Sequence, residues 1–229
     1  KRQDLKIDNK SSPYFANLLR QLNEIDGLQR IRFTSPHPKD FKEETIFAVR
    51  DLDKVCNQIH VPLQSGSSKL LSKMHRGYNK ERFIQKIDMI KSIIPDVSLT
   101  TDIIVGFPGE TDEDFSDTMD IVNYAEFDSI YMFQFSPRPG TAAYDMSEDF
   151  IDKKIITERF QYLKKVQTEK LYDFLREMEF NKLLSRAISF YGETGNNKNQ
   201  INKPKIQPSA VNVKEYQSCL LYTSDAADE

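Results

Sequence analysis

The chain has 229 residues, 38% of them apolar, and a formal net charge of −3. That length suits one large α/β domain or two small ones, the near-neutral charge gives no overall electrostatic pull on nucleic acid, and no apolar run approaches the ~20 residues of a membrane span. Two cysteines, Cys56 and Cys219, make no disulfide framework, which points to the cytoplasm, and by themselves they hold neither a four-cysteine zinc site nor an iron–sulfur cluster.

The chain opens on Lys1-Arg2-Gln3 with no signal peptide and no initiator Met, and reads as cut from something longer. Ser11-Ser12-Pro13 reads as a helix start, and Phe15, Leu18, Leu19, Leu22 and Ile25 follow at helical spacing up to Gly27. Leu28 to Thr34 alternates and reads as a strand broken by Pro36 and Pro38, with a short helix over about 39–50. The next strand is 55–61, with Cys56 as a small buried neighbour, and it ends at Pro62. After the polar turn 64–68, one or two helical turns cover 69–75, and Phe83, Ile84, Ile87 and Ile90 set a helix over 80–93. Val97 to Val105 is a strand, and Thr111-x-x-Asp114 resembles a capping box for a helix faced by Phe115, Met119 and Val122. A strand over 129–135, the turn Ser136-Pro137-Arg138-Pro139-Gly140 and a long charged helix over 151–178 complete the pattern.

Strands alternating with helices imply parallel pairing through crossovers. Four such strands are too few to close a barrel, so the fold class is α/β: part of a (β/α) barrel or a small open sheet. In either case ligands gather where strands end and helices begin. The motifs 35–37, 62–68, 106–110 and 136–140 all fall on that rim. From Asn181 to Ser218 the periodicity fails, with six Lys or Arg against two acidic residues, and the segment reads as loop. Cys219 to Glu229 resembles the translation of a sequencing adapter and is set outside the fold.

The segment Thr100 to Glu113 carries the strongest single signal: a β-branched strand, the turn Gly106-Phe107-Pro108-Gly109-Glu110 and a helix start. Such a junction can bring backbone N–H groups to a ligand, and a purely structural turn is the alternative. Glu110 suits a helix N-terminus for the dipole alone. Asp102, a charge in an apolar strand, calls for a partner or a ligand hydroxyl. His60 points either into a barrel interior or into the core, while His37 is a ligand, an acid/base or a surface group. His75 and Arg76 close a helix, and Arg76 suits a ligand carboxylate. Gln64 and the serines after it are binding groups without redox or nucleophilic activation. No Ser-His-Asp order, His-x-x-His pair or P-loop occurs.

Taken in order, the strings Arg30–Phe41, Ile59–Tyr78, Thr100–Phe115 and Phe135–Ala143 closely resemble the methylthiotransferase family of radical S-adenosylmethionine enzymes, in its tRNA-modifying MiaB branch. The resemblance runs from about residue 8 to residue 169. It implies a partial TIM-like barrel of which this chain is the second half, over 1–180, with 181–218 a possible remnant of a C-terminal RNA-binding region. It implies addition of a methylthio group to C2 of N6-isopentenyladenosine beside the tRNA anticodon. One [4Fe–4S] cluster would cleave S-adenosylmethionine, and the deoxyadenosyl radical so formed would abstract hydrogen. A second [4Fe–4S] cluster would supply sulfur. By position, Gln64, Ser65 and Gly66 would lie near S-adenosylmethionine, Arg76 near its carboxylate, and Asp102 to Gly106 near its ribose and adenine. Ser35, His37 and Arg138 are the substrate-side candidates. The family's cluster cysteines are absent from this chain and are expected upstream, so the chain alone is expected to be inactive. Without an apolar span it is expected to have no membrane attachment, and without the half that should pair with its first strand it is expected to associate through that exposed edge. A radical enzyme with another substrate and a non-catalytic α/β fragment are the competing readings.

Overall fold

The structure is a computed structural model, and it describes residues 14–34 and 41–193. Helices α1 (Tyr14–Asn23) and α2 (Glu43–Asp51) precede strand β1 (Gln58–His60); α3 (Ser68–Lys73) and α4 (Lys80–Ile93) lead to β2 (Ser98–Val105). Helix α5 (Asp112–Ala125), strand β3 (Ser129–Gln134), a 3₁₀ turn at Ser147–Asp149 and helices α6 (Lys153–Glu177) and α7 (Asn181–Tyr191) follow. The sheet is parallel in the order β1-β2-β3, with Ile59 opposite Leu99 and Asp102 opposite Tyr131.

The sequence pattern predicts four strands; the described sheet has three. The first predicted strand, Leu28 to Thr34, is reduced to one parallel bridge between Ile31 and Val55. Its inward residues still pack, Ile31 buried and the Phe33 ring 4.9 Å from that of Phe15. It lacks a described neighbour on its far side, so no ladder extends it. The edges of the described sheet are therefore β1 and β3, and the exposed first strand expected from the sequence is not a strand. Cys56, expected to be buried, is half-buried beside that bridge, its N–H donating to the Ile31 carbonyl at 3.0 Å.

Strand β2 separates two environments. Leu99, Thr101, Ile103 and Val105 are buried in the continuous apolar core that also takes in Phe83, Ile87 and Ile90 of α4 and Met119 and Val122 of α5. Ser98, Thr100, Asp102 and Ile104 occupy the opposite face, as the two-residue period of a strand requires. Helix α4 starts at an Asn79 cap, whose side chain accepts from the Arg82 N–H at 3.0 Å. Helix α5 starts at the capping box read from the sequence: Thr111 accepts from the Asp114 N–H, and Asp114 accepts from the Thr111 N–H. Residues 181–191, expected to be loop, form α7, where Leu184, Ala187 and Ile188 are half-buried and the Tyr172 hydroxyl of α6 donates to the Ala187 carbonyl at 3.3 Å. Among the described residues no helix is long and apolar enough to cross a membrane.

Candidate functional site

The rim after β1 is built around a proline. Pro62 has no N–H for the ladder, and the Thr101 hydroxyl stitches the gap: it donates to the Val61 carbonyl at 2.7 Å and accepts from the Leu63 N–H at 3.0 Å. The Tyr78 hydroxyl holds the same stretch from outside through the Pro62 and Leu63 carbonyls at 2.8 and 3.2 Å. Burial pushes that phenol up to about 12, so it remains a donor. Gln64 then rejoins β2, donating its N–H to the Asp102 carbonyl at 2.7 Å and accepting from the Ile104 N–H at 2.9 Å. It does so with φ +66°, a left-handed conformation that costs a non-glycine residue energy and that its two backbone bonds enforce. Gln64 is thereby fixed beside Asp102.

The two residues after Gln64 spend their groups inside the fold. Ser65 is buried, and its Oγ accepts from the Ser67 N–H at 3.2 Å. Gly66 donates to Thr118 Oγ1 at 2.9 Å, and a Cβ there would meet the Asp117 carbonyl oxygen and the Thr118 Cα, both at 2.4 Å. This glycine lets the rim lie against α5. Ser67 caps α3 and donates to Asp114 Oδ1 at 2.6 Å, while Lys69 Nζ reaches Asp114 Oδ2 at 2.9 Å. Burial pushes the Asp114 carboxyl up, but Lys69, Ser67 and Thr111 together outweigh it and hold the group well below the usual carboxylate range.

Helix α3 ends in a Schellman turn. His75, at φ +55°, donates its N–H to the Ser72 carbonyl, and the Arg76 N–H donates to the Leu71 carbonyl, both at 3.0 Å. His75 is thus an exposed helix end, and Arg76, the residue after it, is half-buried.

The Gly106 turn differs from the amide cradle that the sequence predicts. Gly106, at φ +81°, donates to both carboxylate oxygens of Glu110 at 3.2 Å. Gly109 donates to the Asp149 carbonyl at 2.8 Å, Glu110 to the Phe107 carbonyl at 3.0 Å, and Thr111 to Asp114. These N–H groups are engaged within the protein, and α5 begins only at Asp112. Glu110 itself is buried and paired with Arg159 Nη1 of α6 at 2.7 Å. Burial raises its pKa, partly offset by Arg159 and the Gly106 N–H. Its role is that ion pair, beyond the helix-dipole role read from the sequence.

On the open face of the sheet, His60 and Asp102 come together. His60 Nδ1 lies 2.9 Å from Thr100 Oγ1 and Nε2 lies 3.4 Å from Asp102 Oδ1. The imidazole is buried, the Asp102 side chain is 25% exposed, and the Tyr131 ring stands 5.7 Å from that of His60. Tyr131 and Phe133, two residues apart on β3, are 54% and 53% exposed, so this polar face is bordered by bare aromatic rings. His60 therefore faces the side that a barrel would enclose. At the rim beside β3, a recess of about 200 Å³ opens between Gly106, Phe135, Pro137, Phe150 and Ile156. Arg138 is exposed in the adjoining turn, its carbonyl accepting from Thr141 Oγ1 at 2.8 Å. Ser35 and His37 lie outside the described residues.

Of the predicted site residues, then, Gln64 and Asp102 stand together, Arg138 is exposed and Arg76 half-buried, whereas Ser65, Gly66 and Gly106 are packed into the rim. Sequence reasoning missed Tyr78, Thr118 and Arg159, which hold this rim in place. Arg159 carried a signal of its own, a lone arginine in the register of the buried Ile156 and Leu163 of α6.

Three comparisons bear on this arrangement. The model of the Radical SAM superfamily matches residues 8–122. A tRNA-2-methylthio-N(6)-dimethylallyladenosine synthase of Clostridium tetani is 44% identical over 190 residues, covering 82% of this chain and 41% of that protein. The same-named protein of Caldicellulosiruptor saccharolyticus is 52% identical over 155 residues, covering 68% and 33%. The chain thus spans about two fifths or less of the length of these curated relatives. Among solved structures, coproporphyrinogen III oxidase (HemN) of Escherichia coli aligns with a TM-score of 0.45 and 17% identity over 61% of this chain and 30% of that one. With its matched region spanning half of its length, the chain belongs to the radical S-adenosylmethionine superfamily.

Proposed function

We propose that this chain is the second half of the catalytic barrel of a tRNA methylthiotransferase, acting in the cytoplasm to add a methylthio group to C2 of N6-isopentenyladenosine beside the anticodon. The observation that carries this reading is the 52% identity over 155 residues to a synthase named for that modification.

The cofactors divide on the chemistry of the residues present. Among the described residues no three His, Cys, Asp or Glu side chains gather into a metal site, and Cys56 is the free cysteine. A [4Fe–4S] cluster does not fit that donor set; in the proposed whole enzyme the ligands of both clusters lie outside this chain. S-adenosylmethionine fits better. Its carboxylate calls for a guanidinium, its ribose for a hydrogen-bond acceptor and its adenine for an amide and an apolar surface. Arg76, Asp102 and Gln64 supply the polar groups, and Tyr131 and Phe133 supply aromatic surface. When bound, the cofactor supplies hydrogen-abstracting chemistry on one-electron reduction.

The chain's own part is to bind and orient. The Asp102 carboxylate, steadied by His60, takes a ribose hydroxyl, and Arg76 takes the carboxylate in a two-pronged pair. Gln64, held in its left-handed conformation by two backbone bonds, presents its amide at the same rim. Arg138, exposed in its turn, is the described candidate for the tRNA side, where a guanidinium suits a phosphate. Expression of the complete polypeptide in a bacterium lacking its own methylthiotransferase tests the function directly. Mass spectrometry of digested tRNA is expected to find the methylthio nucleoside; its absence, with the polypeptide soluble and carrying its clusters, would point to a radical enzyme with another substrate.

A further inference from the structure

Arg159 is one of the few charged side chains buried among the described residues, and its contacts converge on one short segment. Nη1 donates to Glu110 Oε1 at 2.7 Å and to the Glu110 carbonyl at 3.2 Å, and Nη2 donates to Asp112 Oδ1 at 2.7 Å. The guanidinium carbon lies 5.7 Å from the centre of the Phe115 ring. Glu110 in turn accepts the Gly106 N–H with both oxygens. One turn earlier on α6, Ile156 fills the space where Gly106 would carry a Cβ, its Cγ1 at 2.5 Å. A chain of contacts thus runs from α6 through Arg159 and Glu110 to Gly106, the residue immediately after β2.

Stability alone is a poor reason for this arrangement. Desolvating two charges consumes most of their attraction, and apolar replacements of buried ion pairs are often neutral or stabilising. What a buried, forked pair adds is a fixed geometry. Gly106 lies four residues from Asp102, on the side of the strand end where the cofactor is proposed to bind.

We infer that Arg159 is a positioning residue for the cofactor: through Glu110 it fixes the Gly106 turn and so sets the affinity for S-adenosylmethionine. This inference rests on the cofactor reading above. Helix α6 is then part of the binding apparatus although Arg159 touches no ligand.

The test uses the complete polypeptide with its clusters and S-adenosylhomocysteine as the probe. Affinity by calorimetry and amide hydrogen exchange at Gly106 are read for the wild type, Arg159→Gln, Arg159→Lys and Tyr172→Phe. The last removes the hydroxyl that bonds the Gly192 carbonyl at 2.6 Å, a contact between α6 and the end of α7 that serves as a stability control. Arg159→Gln is expected to weaken binding by about tenfold or more and to speed Gly106 exchange by a similar factor. Arg159→Lys keeps the charge but loses the fork and is expected to fall between. Tyr172→Phe is expected to melt earlier with unchanged affinity. Wild-type affinity in both folded Arg159 variants, or an equal loss in Tyr172→Phe, overturns the inference. If Arg159→Gln does not fold, Arg159→Lys decides alone: a change below about twofold in affinity overturns it. Failure of the wild type to bind the probe overturns the cofactor reading instead, and the exchange data then report only whether Arg159 fixes the turn.

Discussion

At the end of β2, Glu110 and Asp114 of the Gly106–Asp114 segment are bonded to α6 and α3 and Thr111 to Asp114, whereas the open face of the same sheet leaves Asp102 partly exposed and Tyr131 and Phe133 bare. Both regions are close in sequence and both belong to the expected ligand rim. The first is closed and behaves like core; the second has the polar and aromatic groups a ligand would use. Glycine in a strand-to-helix turn is therefore an ambiguous sign: at Gly66 and Gly106 it admits the close approach of α5 and α6.

Substitutions that break the closed region are expected to cost stability. Arg159→Ala leaves Glu110 buried and unpaired and is expected to destabilise by about 3–5 kcal/mol, read as a lowered melting temperature of the complete polypeptide. Gly66→Ala drives a methyl into the backbone of α5, which cannot swing aside, and is expected to cost about 1–3 kcal/mol. Thr111→Ala removes the cap from α5 and is expected to cost about 1 kcal/mol. The acid arm follows from Asp114. Its folded pKa is depressed, so its contribution is present above the unfolded value of about 3.9 and is lost as pH falls below it. Asp114→Asn is expected to flatten that arm of a melting-temperature profile; an unchanged arm would show that other carboxylates govern it.

The open region is expected to respond in the opposite way. Tyr131→Ser should change stability by no more than about 0.5 kcal/mol, because the ring is already exposed. The 229-residue chain alone, with these rings bare on the edge strand β3, is expected to self-associate. Sedimentation of Tyr131→Lys/Phe133→Lys should show less association than wild type, and a monodisperse wild-type monomer with a cooperative melt would contradict the expectation.

Local features were legible in the sequence because their determinants are local. The apolar spacing of Phe83, Ile84, Ile87 and Ile90 marks α4, observed at Lys80–Ile93, and Thr111 with Asp114 marks the start of α5. The alternation at Leu28–Thr34 was equally visible, but a strand also needs a neighbour, and one bridge to Val55 is what the described chain provides. The basic excess spread over 181–218 hides α7, because it masks the short period of Leu184, Ala187 and Ile188. The Arg159–Glu110 pair spans 49 residues, and the Thr101 stitch to Val61 spans 40. Neither leaves a spacing that a scan along the chain can detect. Asp102 was legible for a physical reason, since a carboxylate in an apolar strand calls for a polar neighbour, and His60 Nε2 lies 3.4 Å from it.

On the proposed reading the open face holds the cofactor, and the closed turn beside it fixes the geometry of that rim. Calorimetric titration of the complete polypeptide with S-adenosylhomocysteine, wild type against Asp102→Ala, tests it most directly. The account predicts a loss of about tenfold or more in affinity, at least 1.4 kcal/mol, in a variant that still melts cooperatively. Equal affinity for the two proteins would contradict it.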